Sequence, residues 1–271
     1  MGTPKNPLSL WERARLKFLT TLFALYPDLL SPQEEDVKFS GLNIMKLLAI
    51  ETATEACSAA LLIDGKINEK FCLTANGHSK LILPMVDALM ADAGLQPSGL
   101  DGLAFGCGPG SFTGVRIATG VIQGIAFALD LPVVPVSNLA AVAQDFFDNN
   151  TENTAFVAMD ARMGEIYWAI YDRNAEGYAK LIGKEAVVPA NEIEFPDVSG
   201  VGIGSGWKSY HQELLNRLSH RLFRYEADNL PRASAIARLG EYGFTKGLAV
   251  PVERAMPVYL RDKVAKKESE R

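Results

Sequence analysis

The sequence predicts an α/β protein built from two copies of one unit, each a mixed sheet flanked by helices. An apolar strand that ends in a carboxylate occurs twice, at 46–51 and at 155–160. Each copy is followed by a short turn and two further strand patterns. Each half later contains a strand, a glycine turn and a helix. This repetition indicates a duplicated molecule with two lobes.

The N-terminal lobe is predicted to span residues 45–148. Asp64-Gly65 is typical of a two-residue hairpin turn between neighbouring strands. His78-Ser79 leads into a helix with a broad apolar face, and Ser137 is predicted to cap the last helix of the lobe. The predicted elements are strands at 46–51, 56–63 and 66–73, a helix at 79–93, a strand at 100–105, a helix at 112–129, a strand at 132–136 and a helix at 137–146.

The C-terminal lobe is predicted to span residues 149–262, after the polar break Asp148-Asn149-Asn150. Its predicted elements are strands at 155–160, 165–171, 178–188 and 199–203 and helices at 207–219 and 234–245. Residues 1–44 are expected to be a poorly ordered extension or a start-site artefact, because Met45-Lys46 directly opens a strand. The charged tail 263–271 is expected to be disordered.

The composition fits a cytoplasmic protein and excludes several classes. The chain has 271 residues, 48% of them hydrophobic, and a net charge of −5. An acidic chain is a poor candidate for gripping nucleic acid alone, so a role on RNA would pass through a partner or a local patch. The cysteines Cys57, Cys72 and Cys107 are odd in number without a CxxC pair, which favours a reducing compartment. No apolar run is expected to reach the roughly 18 residues that a membrane span needs.

The stretch 106–116, GCGPGSFTGVR, joins a strand to a helix. Four glycines in nine residues indicate a sharply bent or closely packed loop. One interpretation is a packing turn that begins the helix, with Ser111 or Thr113 as the cap. The other is an anion or nucleotide site with Thr52, Ser111, Thr113 and Arg116 as candidate contacts. The GxGxxG spacing is not met and no Walker A lysine follows.

The helix after this loop carries a stripe of small residues. Gly120, Gly124 and Ala128 follow one another at four-residue spacing, so they share one face. Glycine inside a helix costs about 1 kcal/mol relative to alanine, so two of them indicate that another helix packs very close. The partner helix would lie either within this chain or in another subunit.

Two lobes with acidic strand ends and hairpins beside a cleft are the plan of the actin, sugar kinase and Hsp70 ATPases. In that plan the first hairpin usually reads Asp-Xaa-Gly-Thr, whereas this chain has Glu51-Thr52-Ala53-Thr54. The departure disfavours strong ATP hydrolysis. The enzyme alternative is a divergent ATPase or kinase that uses Glu51 and Asp160 to organise a metal in the cleft. A metallopeptidase is disfavoured because the three histidines show no HxxxH or HExxH spacing.

Several motifs together resemble the bacterial TsaB (YeaZ) family. They cover residues 45 to about 262 in order and are 45–54 (MKLLAIETAT), 78–79 (HS), 108–116 (GPGSFTGVR), 160–162 (DAR) and 257–261 (PVYLR). The resemblance implies an actin-like or Hsp70-like ATPase fold. It also implies a non-catalytic subunit, without catalytic or metal-binding residues, of the complex that forms N6-threonylcarbamoyladenosine next to the anticodon of tRNAs reading ANN codons.

The same resemblance implies partners. These are a TsaD-like catalytic subunit, a TsaE-like ATPase and, through the complex, tRNA. A homodimer is a possible state of the chain when it is alone. No tightly bound cofactor is expected, although ATP or ADP could bind at the partner interface. The interface would lie on the helices 79–93 and 112–129, with these candidate residues: Leu81, Met85, Leu89, Ile117, Gly120, Val121, Gly124 and Ala128.

Overall fold

The computed structural model describes residues 45–261. The predictions made for 1–44 and for 263–271 lie outside these residues. Within the described part, ten strands form two five-stranded sheets, and five α-helices surround them.

Sheet 1 belongs to the first half of the chain and has the strand order β3-β2-β1-β4-β5. Its central strands are buried on both faces, which explains why they read as continuous apolar runs. Asp64 and Gly65 both have positive φ, as a two-residue hairpin turn requires. The elements of this half are β1 Lys46–Glu51, β2 Ala56–Ile63, β3 Lys66–Leu73, α1 His78–Asp92, β4 Gly102–Gly108, α2 Phe112–Leu129, β5 Val133–Ser137 and α3 Asn138–Asn149.

Sheet 2 repeats that plan with the order β10-β9-β6-β7-β8. Read from the other edge, each strand takes the place of its counterpart in sheet 1, so the predicted duplication is confirmed. The elements of this half are β6 Thr154–Arg162, β7 Glu165–Arg173, β8 Ala179–Pro189, β9 Gly200–Ile203, α4 Gly206–Leu218, β10 Leu222–Glu226 and α5 Ala233–Thr245.

The two copies differ in that the first half has helix α1 after its third strand, whereas the second half has no α-helix at the equivalent position among the described residues. After β8 the second half has only a single 3-10 turn, Ala190–Glu192, before β9. Three further 3-10 turns lie at Pro97–Gly99, Ser219–Arg221 and Val252–Arg254. Strand β10 was not predicted from the sequence, because its residues are half-buried or exposed and show no apolar run.

Each half contributes its last helix to the other half. Helix α3 packs on sheet 2, with Leu139, Val142 and Phe146 in one apolar cluster with strand β6. Helix α5 packs on sheet 1, so closely that a Cβ at Gly240 would lie 2.7 Å from the Cβ of Ala104. The domain boundary between residues 148 and 149 therefore stays a prediction from the sequence. In the structure, each sheet is covered partly by a helix from the other half of the chain.

Candidate functional site

A cleft of about 1040 Å³ opens between the two lobes. Five backbone segments line it: the β1–β2 turn, residues 75–79 at the start of α1, the loop before α2, the β6–β7 turn and the first turn of α4. The C-terminal segment 258–261 closes one side. Polar and charged side chains on these segments are Glu55, His78, Ser111, Thr113, Asp160, Arg162, Lys208, Ser209 and Arg261.

The glycine loop packs directly against the β1–β2 turn. The backbone N–H of Ser111 donates to the Ala53 carbonyl at 2.7 Å. A Cβ at Gly114 would lie 2.1 Å from the Thr52 carbonyl oxygen, and one at Gly110 would lie 2.7 Å from the Ala53 carbonyl oxygen. The glycines are therefore required by backbone-to-backbone contact, which supports the packing-turn interpretation.

Ser111 caps helix α2, as one of the sequence interpretations proposed. Its Oγ accepts a hydrogen bond from the N–H of Gly114 at 3.4 Å, which satisfies one otherwise unpaired first-turn donor. Ser111 and Thr113 are exposed and line the cleft. Their role as anion contacts stays a prediction.

The other two anion candidates are engaged elsewhere. Thr52 is fully buried, and its hydroxyl donates to the Gly114 carbonyl at 2.7 Å. Arg116 is exposed, and its guanidinium lies 3.2 Å from the ring centre of Phe112 and 5.0 Å from that of Tyr259. Arg116 does not line the cleft, so the structure does not bring the four candidates to one place.

Glu51 is fully buried at the end of β1 and does not line the cleft. One carboxyl oxygen accepts from the N–H of Ala53, while Oε2 has no hydrogen-bond partner among the described residues. Burial raises the pKa of Glu51 to about 8, although the N–H groups of Ala53 and Thr52 act in the opposite direction. The side chain is therefore a neutral acid at neutral pH.

The unpartnered oxygen of Glu51 faces Asn138, the first residue of α3. The Oδ1 atom of Asn138 is also buried without a partner, while its Nδ2 donates to the Pro109 carbonyl at 3.0 Å. A Cβ at Gly106 would lie 1.6 Å from Glu51 Oε2 and 2.3 Å from Asn138 Oδ1, so both oxygens border the same small space. A proton on Glu51 supplies the donor that two facing oxygens need.

Asp160 lies at the cleft but is held by its neighbours. Its carboxylate accepts from the N–H of Arg162 at 2.7 Å and from the guanidinium of the same residue at 3.2 Å. Ser209 Oγ donates to it at 3.3 Å. Glu51 points into the core and Asp160 into the cleft, so the predicted pair of metal-organising carboxylates is wrong in this respect. Within residues 45–261 no group of three or more His, Cys, Asp or Glu side chains could hold a metal ion.

The C-terminal segment joins the two lobes across the cleft. The N–H of Val258 donates to the Cys107 carbonyl on β4 at 2.7 Å. Arg261 donates to the Ala161 carbonyl at 2.9 Å and forms an ion pair with Glu165. The sequence offered 257–261 only as a motif, and its role as a bridge between lobes was missed because the bonded residues lie about 100 to 150 positions earlier in the chain.

The predicted partner face lies on α1 and α2. Leu81, Met85, Ile117, Val121, Gly124 and Ala128 are half-buried, and Gly120 is exposed. A Cβ at Gly120 would meet no neighbouring atom within 4 Å among the described residues, so no helix of residues 45–261 explains this glycine. Leu89 is the exception: it is 2% exposed and packs in the core of sheet 1, so its placement at the interface is corrected.

Helix α2 also corrects one sequence expectation. Of the helices within residues 45–261, it alone is long and apolar enough to cross a membrane by length and composition, with 18 residues and a mean hydropathy of 1.5. The buried side of the helix packs on sheet 1 through Ala118, Ile122 and Ala126. Its apolar composition therefore serves the core on one side and leaves an apolar surface on the other.

The repeated sheets, the exchanged helices and the cleft between the lobes define a protein of the actin-like class. A family model described as "TsaD: tRNA N6-adenosine threonylcarbamoyltransferase" matches residues 72–268. The tRNA threonylcarbamoyladenosine biosynthesis protein TsaB of Escherichia coli is 40% identical over 228 residues, which are 83% of this chain and 98% of that protein. The Haemophilus influenzae protein of the same name is 36% identical over 236 residues, covering 83% and 97%.

A solved structure titled "YeaZ from Pseudomonas aeruginosa" has a TM-score of 0.75 to this chain. It is 41% identical, and the alignment covers 80% of this chain and 100% of that structure. The chain belongs to the TsaB (YeaZ) family. The resemblance seen in the sequence and the predicted actin-like fold are thereby confirmed.

Proposed function

We propose that this protein is a non-catalytic subunit of a cytoplasmic complex that forms N6-threonylcarbamoyladenosine in tRNAs reading ANN codons. It acts by pairing with a TsaD-like catalytic subunit and activating it. The names of its relatives support the tRNA modification itself. The proposed role as an activating partner is argued from the exposed face of α1 and α2.

The observation that carries the proposal is the small, apolar face of α1 and α2. Gly120 is open to solvent where a larger helix former would be favoured by about 1 kcal/mol. An unfilled glycine on an apolar helix is explained if a helix of another protein packs against it. The half-buried side chains beside it, Ile117 and Val121, would then complete an apolar contact.

The cleft supports a non-catalytic role. Glu51, which would correspond to the acidic strand end of an ATPase, is buried and neutral near pH 7. The backbone of the first hairpin is already bonded to the glycine loop through Ser111 and Ala53. A TsaE-like ATPase and tRNA would accordingly bind the assembled complex rather than this chain alone. ATP or ADP would bind at the interface with the partner.

The first experiment is size-exclusion co-elution of the full chain with the TsaD-like protein of the same organism. A joint peak is expected, and tRNA modification in a reconstituted mixture with a TsaE-like ATPase should require this chain. Since the isolated chain is expected to self-associate through the same face, its homodimer should dissociate as the partner is added. Separate peaks, together with full modification in the absence of this chain, would refute the proposal.

A further inference from the structure

Two free cysteines stand directly opposite each other in sheet 1. Cys57 on β2 and Cys72 on β3 are register partners in the antiparallel hairpin. Directly opposed residues in such a pair project their side chains to the same face of the sheet. Both thiols join the apolar cluster beneath α1 and α2, Cys57 as a buried member and Cys72 as a partly buried neighbour.

We propose that Cys57 and Cys72 form a reversible disulfide when the protein meets a hydroperoxide, which makes the β2–β3 hairpin a redox-sensitive element. Opposed residues of an antiparallel pair have Cα atoms about 4.5–5.5 Å apart. Disulfides bridge Cα atoms about 4.4–6.8 Å apart, so the bond needs no separation or slippage of the strands. The inference stands on this pairing and does not depend on the proposed function.

The two thiols have different access to an oxidant. Cys57 is fully buried, whereas Cys72 on the edge strand is partly exposed. Burial raises the pKa of Cys57 to about 11, which disfavours its thiolate. Cys72 is therefore the residue that the hydroperoxide reaches first.

The reaction proceeds in two balanced steps. The Cys72 thiolate attacks one peroxide oxygen, the O–O bond breaks, and hydroxide leaves with formation of a sulfenic acid. The sulfur of Cys57 then attacks the Cys72 sulfur and loses its proton, while the S–O bond breaks and its oxygen departs as water. Two thiols are oxidised by two electrons, and hydrogen peroxide is reduced to water.

Cys107 provides an internal control. It lies on β4, separated from β2 by strand β1, and it is buried. Its pKa is raised to about 12, first of all by burial. No other described cysteine is its register partner, so it should keep its thiol under conditions that link the other two.

The disulfide would fasten edge strand β3 to its neighbour. It closes the segment 57–72, which restricts fraying of an edge strand that otherwise has a paired neighbour on one side only. Backbone amides of residues 66–73 should therefore exchange with solvent more slowly in the oxidised protein than in the reduced one. Dithiothreitol should restore the faster exchange.

The test treats the folded full chain with hydrogen peroxide, alkylates remaining thiols and maps the peptides by mass spectrometry. We expect a pair of peptides linked through Cys57 and Cys72, lighter than the two reduced peptides together by the two thiol hydrogens. Dithiothreitol should separate the pair again. Cys107→Ser should leave this product unchanged, and Cys72→Ser should abolish it. Cys57→Ala should leave a sulfenic acid on Cys72.

Two results would overturn the proposal. One is oxidation of Cys72 to sulfenic or sulfinic acid in the folded wild-type chain while Cys57 still alkylates after unfolding. The other is a linked peptide that forms only in denaturant, where any two thiols can meet. Cys72 lies on a partly exposed edge strand, so we expect Cys72→Ser to fold like the wild type. Circular dichroism of the variant checks that a missing linked peptide is not caused by unfolding.

Discussion

Replacing Glu51 by glutamine is expected to remove a pH dependence of the folding stability. The folded chain holds Glu51 as a neutral acid whose pKa is raised from 4.5 to about 8 by burial. In the unfolded chain the same group ionises near its ordinary value. Glutamine keeps the shape, accepts from the N–H of Ala53 and can donate its amide N–H toward Asn138, so it copies the neutral acid at every pH.

The sign and size follow from these two pKa values. Below about pH 4.5 both states carry the proton, and the full stability is present. As the pH rises toward 8, only the unfolded state loses the proton, so the free energy of unfolding falls by about 1.4 kcal/mol for each pH unit. The loss amounts to roughly 3 kcal/mol at pH 7 and levels off at about 5 kcal/mol above pH 8.

The assay is urea unfolding of wild type and Glu51→Gln at several pH values between about 5 and 8. The difference between the two chains cancels all other titrations, and it should grow steadily in favour of glutamine. Glu55→Gln is the matched control, because it makes the same substitution at an exposed carboxyl in the neighbouring turn. A charge on Glu51 interacts with the thiols of Cys57 and Cys107. Both thiols stay neutral between about pH 5 and 8, because their pKa values are raised to about 11 and about 12. A difference that stays constant with pH would refute the neutral-acid account.

Three further changes test the loop, the partner face and the bridge between lobes. Gly120→Leu should leave the fold at least as stable but weaken TsaD-like partner binding about tenfold or more, since a side chain fills the close approach. Gln212→Leu on α4, an exposed site in the other lobe, should leave co-elution unchanged; equal affinity of both variants would contradict the interface. Gly114→Ala should lower the free energy of unfolding by about 1–3 kcal/mol because its Cβ meets the Thr52 carbonyl, whereas Gly120→Ala should not, as urea midpoints would reveal. Arg261→Ala should cost about 1–3 kcal/mol through the lost charged hydrogen bonds to the second lobe; an unchanged urea midpoint would show that the segment is not a structural bridge.

The strands and helices were predictable where burial is two-sided or strongly periodic. Strands β2 and β3 match their predicted bounds because Asp64-Gly65 fixes the turn between them. Strand β10 was missed because a partly exposed edge strand carries a weak apolar signal. The exchange of α3 and α5 between the lobes could not be read at all, since helical periodicity identifies an apolar face without saying which sheet covers it.

The site residues, too, were predictable from local sequence signals and not where their surroundings depend on distant elements. The cap at Ser111 was predictable because a helix cap is a local feature, whereas its role as an anion contact stays a prediction. Leu89 and Met85 occupy similar positions in the apolar pattern of α1, yet only Met85 reaches the surface, because the broad face of that helix is shared between core and exterior. The burial of Glu51 depends on Gly106 and Asn138, which lie on other elements, so the sequence around it still suggested a cleft carboxylate.

The buried position of Glu51 differs from that of a metal-organising carboxylate, which would have to face the cleft. An ionised strand-end carboxylate facing a cleft can organise a metal, but here the residue is a buried neutral acid whose free oxygen borders Asn138 of α3. The C-terminal segment is the bridge that opening the cleft would break, because Val258 bonds to β4 and Arg261 bonds to residues of sheet 2. Helices α1 and α2 pack on the apolar core of sheet 1 at one side of this cleft. The face proposed for the partner is therefore already ordered, and binding to it carries no large ordering cost.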